Sequence, residues 1–213
     1  SLAHEIRNAL HSIGLNTGAV EAYVGQPVTG PRVAAMTESL QAIQEETRRL
    51  TDLLNSYLGL RRWDSELVPV DLREVCRRVI QLLSYDAMKS NVTIKLEGDV
   101  DLPAVFGAPD RLQQAVLNLV LNAIQVMPHG GWVALQTSTG DGLVRLSVTD
   151  TGPGLPRDLA EELFDPHVTT KPGGSGLGLP LVRIIAEDHG GSVWYRSDPG
   201  KGATFTLVLP TIQ

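Results

Sequence analysis

Asn118-Leu119-Val120-Leu121-Asn122-Ala123 sets two amides into a run that is otherwise apolar. Side chains four positions apart meet on one face of a helix, so Asn118 and Asn122 are expected to share a face. A buried asparagine needs partners, and an amide oxygen is a suitable ligand for a hard cation such as Mg2+. Ordinary surface amides are the alternative, and would be the better reading if the pair stood alone. The helix that carries them starts well at Pro109, a residue suited to a first helical turn. Its apolar stripe continues through Leu112, Val116, Leu119, Val120, Ala123 and Ile124 to about Met127.

Outward from this helix the pattern mixes elements. Strands are expected at 132–137 and 144–149, joined by a turn at Gly140-Asp141-Gly142. A helix over 177–189 precedes strands at 192–196 and 203–209. On the N-terminal side a helix fits 72–88, with Val75, Val79, Ile80 and Leu83 buried, and strands fit 92–96 and 104–106. Residues 61–70 read as an extended connector around Pro69. Strands that follow one another, with helices gathered on one face, indicate an α+β sandwich rather than a doubly wound sheet.

The first 64 residues are different. One helix runs to about Tyr23, and Gly25-Gln26-Pro27 with Thr29-Gly30-Pro31 makes a hairpin loop. The next helix carries Val33, Met36, Leu40, Ile43, Thr47, Leu50, Leu54 and Tyr57 in unbroken steps of three and four, a seam of the coiled-coil or four-helix-bundle kind. Two helices cannot cover such a stripe, so the hairpin is expected to pair with a second copy as a dimeric four-helix bundle, the alternative being a monomeric hairpin packed on the following domain. The organisation expected is thus a helical hairpin over 1–64 and an α/β sandwich over 65–213.

At 213 residues there is volume for a core in each part. The net charge of −6 argues against a nucleic-acid partner, because phosphate binding relies on Lys and Arg. No run approaches the roughly 18 apolar residues of a membrane span, and nothing resembles a signal peptide. Membrane contact is therefore not expected of this stretch, and a cytoplasmic setting is. The single cysteine, Cys76, excludes an internal disulfide framework and reads as a small core residue. The chain begins at Ser1, inside a running helix and without Met, and is read as a fragment of a longer protein.

Glycines cluster where a ligand would approach backbone. Asp150-Thr151-Gly152-Pro153-Gly154 ends a strand, and Lys171-Pro172-Gly173-Gly174-Ser175-Gly176-Leu177-Gly178-Leu179 leads into a helix. Free N–H groups at a helix N-terminus suit phosphates. Neither stretch matches the P-loop or the dinucleotide fingerprint. No Cys or His pair has zinc spacing, and no nucleophile elbow is present. In Leu2-Ala3-His4-Glu5-Ile6-Arg7-Asn8-Ala9-Leu10, taking Ile6 as a seam position turns His4 away from the seam and puts Asn8 one turn further on the same face. An imidazole offered to water beside an acid is a candidate nucleophile, and an ordinary surface histidine is the competing reading.

These stretches together resemble the two-component sensor histidine kinases. His4-Glu5-Ile6-Arg7-Asn8 resembles their H box and Asn118–Ala123 their N box. Asp150-Thr151-Gly152-Pro153-Gly154 resembles the G1 box, Leu163-Phe164-Asp165-Pro166 the F box, and Gly174-Ser175-Gly176-Leu177-Gly178-Leu179 the G2 box. Asn122-Ala123-Ile124-Gln125, Met127-Pro128 and Thr169-Thr170-Lys171 look most like the nitrogen-regulation and metal-stress sensor subgroup.

The resemblance implies a Bergerat-type ATP-binding domain joined to a dimerisation and phosphotransfer hairpin. It implies that His4 is phosphorylated from ATP, that Glu5 orients or deprotonates the imidazole, and that Asn8 positions water in a second, phosphatase activity. Asp150 is implied to accept a hydrogen bond from the adenine amino group, and Asn122, with Asn118 alongside, to hold Mg2+. Gly174, Gly176 and Gly178, with Leu177 between them, would bring backbone amides to the phosphates, and Lys171 a point charge. Gly152 and Gly154 belong to the G1 stretch with Asp150, residues 155–173 read as a lid that Phe164 anchors to the core unless it is there for packing alone, and Thr204 matches a last-strand threonine near the adenine. The partner implied is the receiver domain of a response regulator.

Two departures stand out. Ala9 occupies a place where the H box commonly has proline, and Gln125 one where some members carry a phosphate-contacting base. His11, His129, His167 and His189 read as surface or loop residues. Two competing functions are a degenerate scaffold, against which the intact His4, Asn122 and Asp150 weigh, and a mechanical ATPase. The latter would need a carboxylate where this chain has Asn118 and would leave the His4 hairpin unexplained.

Overall fold

The computed structural model describes residues 2–23, 30–59, 66–156, 162–166, 168–169 and 176–212; side chains of residues 2–5, 30, 44, 48–49 and 51–59 fall outside that description. The chain divides into two compact units, Ser1–Arg61 and Arg62–Gln213.

The first unit is a hairpin of α1 (Leu2–Glu21) and α2 (Gly30–Gly59). α1 runs unbroken through Ala9, as expected of alanine where proline would remove a backbone donor. Ala9 is buried at 2 %, whereas Leu10, Leu15, Val33 and Leu40 remain between 46 % and 64 % exposed. The hairpin alone therefore leaves part of its apolar surface in water.

The second unit is a two-layer α+β sandwich. Its main sheet has the order β2-β4-β5-β7-β6, made from β2 (Val92–Gly98), β4 (Gly131–Gly140), β5 (Leu143–Asp150), β6 (Ser192–Ser197) and β7 (Ala203–Pro210). β2 pairs with β4 in parallel and all other neighbours are antiparallel. Alternate residues of the three central strands are buried: Val133 and Leu135, then Val144, Leu146 and Val148, then Ala203, Phe205, Leu207 and Leu209. They share one core with α3 (Leu72–Leu82), α5 (Pro109–Gln125) and α6 (Gly178–Asp188). Period-2 burial on the strands against an apolar helical stripe produces this layering.

Local chemistry sets the element ends. Asp71 caps α3 by accepting from the N–H groups of Arg73 and Glu74. Asp141 and Gly142 both have positive φ, 55° and 72°, and close a two-residue β4–β5 turn of the kind that matches strand twist. Cys76 is fully buried, and burial pushes its thiol pKa up to about 12, so it serves as a core residue.

The structure corrects two expectations here. The helix expected over 72–88 is two helices, because the Ser84 hydroxyl bonds back to the Gln81 carbonyl and Leu83 breaks the run before α4 (Ser84–Lys89). The connector around Pro69 contains a strand, β1 (Val68–Val70), which pairs antiparallel with β3 (Val105–Gly107). Proline is tolerated there because β1 has β3 as its one strand neighbour among the described residues and so is an edge strand.

Candidate functional site

α5 positions its two amides by burying the rest of itself. Leu112, Val116, Leu119, Val120, Ala123 and Ile124 are all at most 4 % exposed, which fixes the helix rotation and turns Asn118 and Asn122 together toward the start of α6. Gly178, the first residue of α6, lies directly over them: a Cβ there would stand 3.6 Å from Asn118 Oδ1 and 3.7 Å from Asn122 Nδ2. Gly176 just before it takes a φ of +66°. No side chain among the described residues caps this helix, and its first-turn N–H groups have no intrahelical partner. Beneath them the Asn118 Nδ2 group is buried with no hydrogen-bond partner among the described residues. A buried donor left unmade costs about 1–3 kcal/mol, which an arriving acceptor would recover.

At the neighbouring strand end, Asp150 is 5 % exposed. Its Oδ1 accepts from the Gly152 N–H at 2.8 Å and the Ala203 N–H at 3.3 Å, which orients the carboxylate. Gly152 permits the turn, since a Cβ there would come within 2.8 Å of Asp150 Oδ1 and 2.9 Å of Val126 Cγ2 at the end of α5. Gly154, at φ +71°, packs instead on the β6–β7 turn, and the Gly200 N–H bonds to the Pro153 carbonyl there. Gly202 has a φ of +81°, and a Cβ on it would fall 2.0 Å from the Asp150 carbonyl oxygen. Gly202→Ala is therefore expected to destabilise the domain by about 1–3 kcal/mol or more, measured by denaturant unfolding, because it combines left-handed strain with a backbone clash.

The site thus joins an uncapped helix N-terminus, two amides with an unpartnered donor, and a buried oriented carboxylate. Amide oxygens are hard donors, and Mg2+ typically keeps waters and takes only one or two protein oxygens alongside phosphates. That fits a place with no group of three His, Cys, Asp or Glu among the described residues. Residues 107–213 match the family described as the histidine kinase-, DNA gyrase B- and HSP90-like ATPases. The chain belongs to that family.

Its relatives are sensor histidine kinases. Sensor histidine kinase ZraS of Escherichia coli is 37 % identical over 98 % of this chain, which spans 44 % of ZraS, so the chain covers less than half the length of that relative. Full-length ShkA in complex with AMPPNP superposes with a TM-score of 0.80 at 30 % identity, over 100 % of this chain and 45 % of that one. Histidine kinase ThkA in complex with response regulator protein TrrA gives 0.70 at 28 % identity, over 99 % and 60 %. The mixed sheet with helices on one face is the ATPase architecture the resemblance implied.

Within this ATPase domain the structure brings Asn118, Asn122, Gly176, Leu177 and Gly178 to one place, with Asp150 and Gly152 packed on the end of the same helix. Thr204 does not join them. It pairs with Thr149, and the two hydroxyls bond at 3.0 Å on the sheet face opposite the core. Strand alternation sends Ala203 inward to Asp150 and Thr204 outward, so Ala203 holds the place expected of Thr204. Lys171, Gly174 and His167 lie outside the described residues. So do the side chains of His4 and Glu5, whose backbone is on α1; Asn8 is exposed on the same helix.

Phe164 is buried at 7 %, edge-on to Tyr195 with ring centroids 6.1 Å apart, and the Arg183 guanidinium of α6 stands 4.6 Å above its ring. Phe164 is thus packed into the core, with a cation–π contact from Arg183 that no local pattern signals. His189 departs from the expected surface setting: it stands in the turn after α6, as a loop residue would, but is buried. Its burial follows from its place at the end of α6 against Gly107, and the apolar run before it was the only local sign.

Proposed function

We propose that this chain is the catalytic core of a sensor histidine kinase: the sandwich binds Mg-ATP, His4 takes the γ-phosphoryl group, and an aspartate of a response-regulator receiver domain takes it in turn. The observation that carries the reading is the buried, unpartnered Asn118 amide under the uncapped first turn of α6, beside an oriented, buried Asp150. Family membership and the AMPPNP and response-regulator complexes of the structural relatives support it.

Each residue then has a task. Asp150, oriented through the Gly152 and Ala203 N–H groups, accepts from the adenine amino group. The N–H groups at Gly176, Leu177 and Gly178, with Gly174 ahead of them, face the phosphates, and the Asn118 amide donates to the same group. Lys171 adds positive charge near the γ-phosphate. Asn122, with Asn118 alongside, offers amide oxygen to Mg2+. When bound, the ion supplies charge neutralisation on the transferring phosphoryl group. Glu5 accepts the proton on one imidazole nitrogen of His4, leaving the other free to attack phosphorus while the bond to ADP breaks. Asn8 orients water in hydrolysis of the phosphorylated regulator, the second activity. Since such transfer asks chiefly for positioning and charge neutralisation, this set of groups is sufficient.

The hairpin 1–64 acts as dimerisation and phosphotransfer unit and 65–213 as the ATP-binding domain. The exposed Leu10, Leu15, Val33 and Leu40 are the surface a second hairpin would cover in a homodimeric four-helix bundle. Among the described residues no helix is long and apolar enough to cross a membrane, and the fragment is proposed to work in the cytoplasm without membrane contact.

The test is a calorimetric titration with AMPPNP with and without Mg2+. Saturable binding that weakens at least tenfold when Mg2+ is withheld, and in Asn122→Ala with Mg2+ present, is expected. Absence of binding under all conditions would overturn the proposal.

A further inference from the structure

α5 and α6 run antiparallel: the start of α6 sits over Asn118 and Asn122, and its far end meets the start of α5. That far end is closed by one side chain. His189, 7 % exposed, follows the last residue of α6. Its Nδ1 lies 2.6 Å from the Ile185 carbonyl and its Nε2 lies 3.0 Å from the Ala108 N–H, the residue immediately before α5. The carbonyl can only accept and the N–H can only donate. The ring is therefore the neutral tautomer protonated at Nδ1, with Nε2 as acceptor. Gly107 makes room for it, since a Cβ there would fall 2.6 Å from the imidazole Cδ2. Beside the ring, Arg111 of α5 bonds Asp188 of α6 at 2.6 Å.

We infer that His189 is a positioning residue for nucleotide binding, holding α6 against the start of α5 in its neutral form so that the glycine turn at the other end stays over Asn118 and Asn122. This rests on the nucleotide reading of that site. α6 has 11 residues, about 16 Å at 1.5 Å per residue, so a tilt at the His189 end moves the first turn of α6 relative to the amides. A proton on Nε2 would face the Ala108 N–H donor to donor and break the clasp.

The surroundings agree. Burial lowers the pKa of His189 below its ordinary 6.5; the Ile185 carbonyl opposes this, Arg111 adds to the lowering, and Asp188 opposes it. A depressed imidazole pKa means that the unfolded chain binds more protons just below pH 6.5. The clasp's contribution to stability is thus complete above that pH and is lost as pH falls toward the folded-state pKa.

The experiment measures AMPPNP affinity of the whole chain with Mg2+ at about pH 7.5 and pH 5.5, for wild type and His189→Gln. Glutamine offers an acceptor near Nε2 and takes up no proton. The nucleotide's own phosphate titrates in this range, so the quantity read is the ratio of the two dissociation constants. The wild type is expected to lose affinity against His189→Gln as the pH falls through the folded-state pKa of His189, which lies below 6.5. His189→Asn, which keeps only the Ile185 bond, is expected to bind more weakly at pH 7.5 with no added acid loss. A ratio that does not change with pH would overturn the inference. If wild type fails to bind at pH 7.5 the nucleotide reading itself has failed, while thermal unfolding against pH still tests the clasp. Loss of Tm below pH 6.5 in wild type and not in His189→Gln is expected, and parallel Tm curves would overturn it.

Discussion

His4→Ala is expected to reduce phosphorylation from γ-labelled ATP and Mg2+ to background, while nucleotide affinity and thermal stability stay within about twofold and 0.5 kcal/mol of wild type. The loss follows because Asn8, one turn on and on the same face, carries an amide without a nucleophilic lone pair on nitrogen and cannot take over as acceptor. In wild type the product should be acid-labile and base-stable, the behaviour of phosphohistidine rather than of a phosphoester. Retention of AMPPNP binding separates loss of the acceptor from loss of the fold. Label that survives in the variant would move the acceptor elsewhere, with His11 the next imidazole on the helix.

Asp150→Asn is expected to weaken AMPPNP binding by roughly tenfold to a hundredfold, equivalent to about 1–3 kcal/mol. Asn and Asp are nearly isosteric, so the Gly152 and Ala203 N–H groups at 2.8 and 3.3 Å still find an oxygen and keep the side chain oriented. That constraint places the amide nitrogen where the second carboxylate oxygen was. A donor then stands where the adenine amino group needs an acceptor, and both groups are left unpaired in a buried site. Selectivity for adenine over guanine nucleotides should fall in parallel, measured by competition. Unaltered affinity and selectivity would remove Asp150 from base recognition.

The two predictions draw on different parts of what could be read locally. Asn118, Asn122 and Asp150 were legible because each stands out from a strongly periodic background: two amides on an apolar stripe and an acid at the end of an alternating strand. Position of the helices and most strands was legible for the same reason. Thr204 went wrong through its parity. Whether Ala203 or Thr204 faces Asp150 depends on the register of β7 against β5, in which Thr149 pairs with Thr204. β1 was missed because three residues with a central proline carry no period and exist as a strand only by pairing with β3.

Local periodicity and residue chemistry were enough to mark the helical hairpin, the long helices of the sandwich, the five strands of its main sheet and the motif stretches, but not β1 or the break between α3 and α4. Only the tertiary structure decided that Gly202 must lack a side chain beside the Asp150 carbonyl, that Gly178 comes to rest over two amides, and that His189 closes on Ala108. Those pairs are separated by some 50 to 80 positions along the chain, as with the 81 between Ala108 and His189. Their meeting is set by sheet register and helix packing, which local periodicity does not encode.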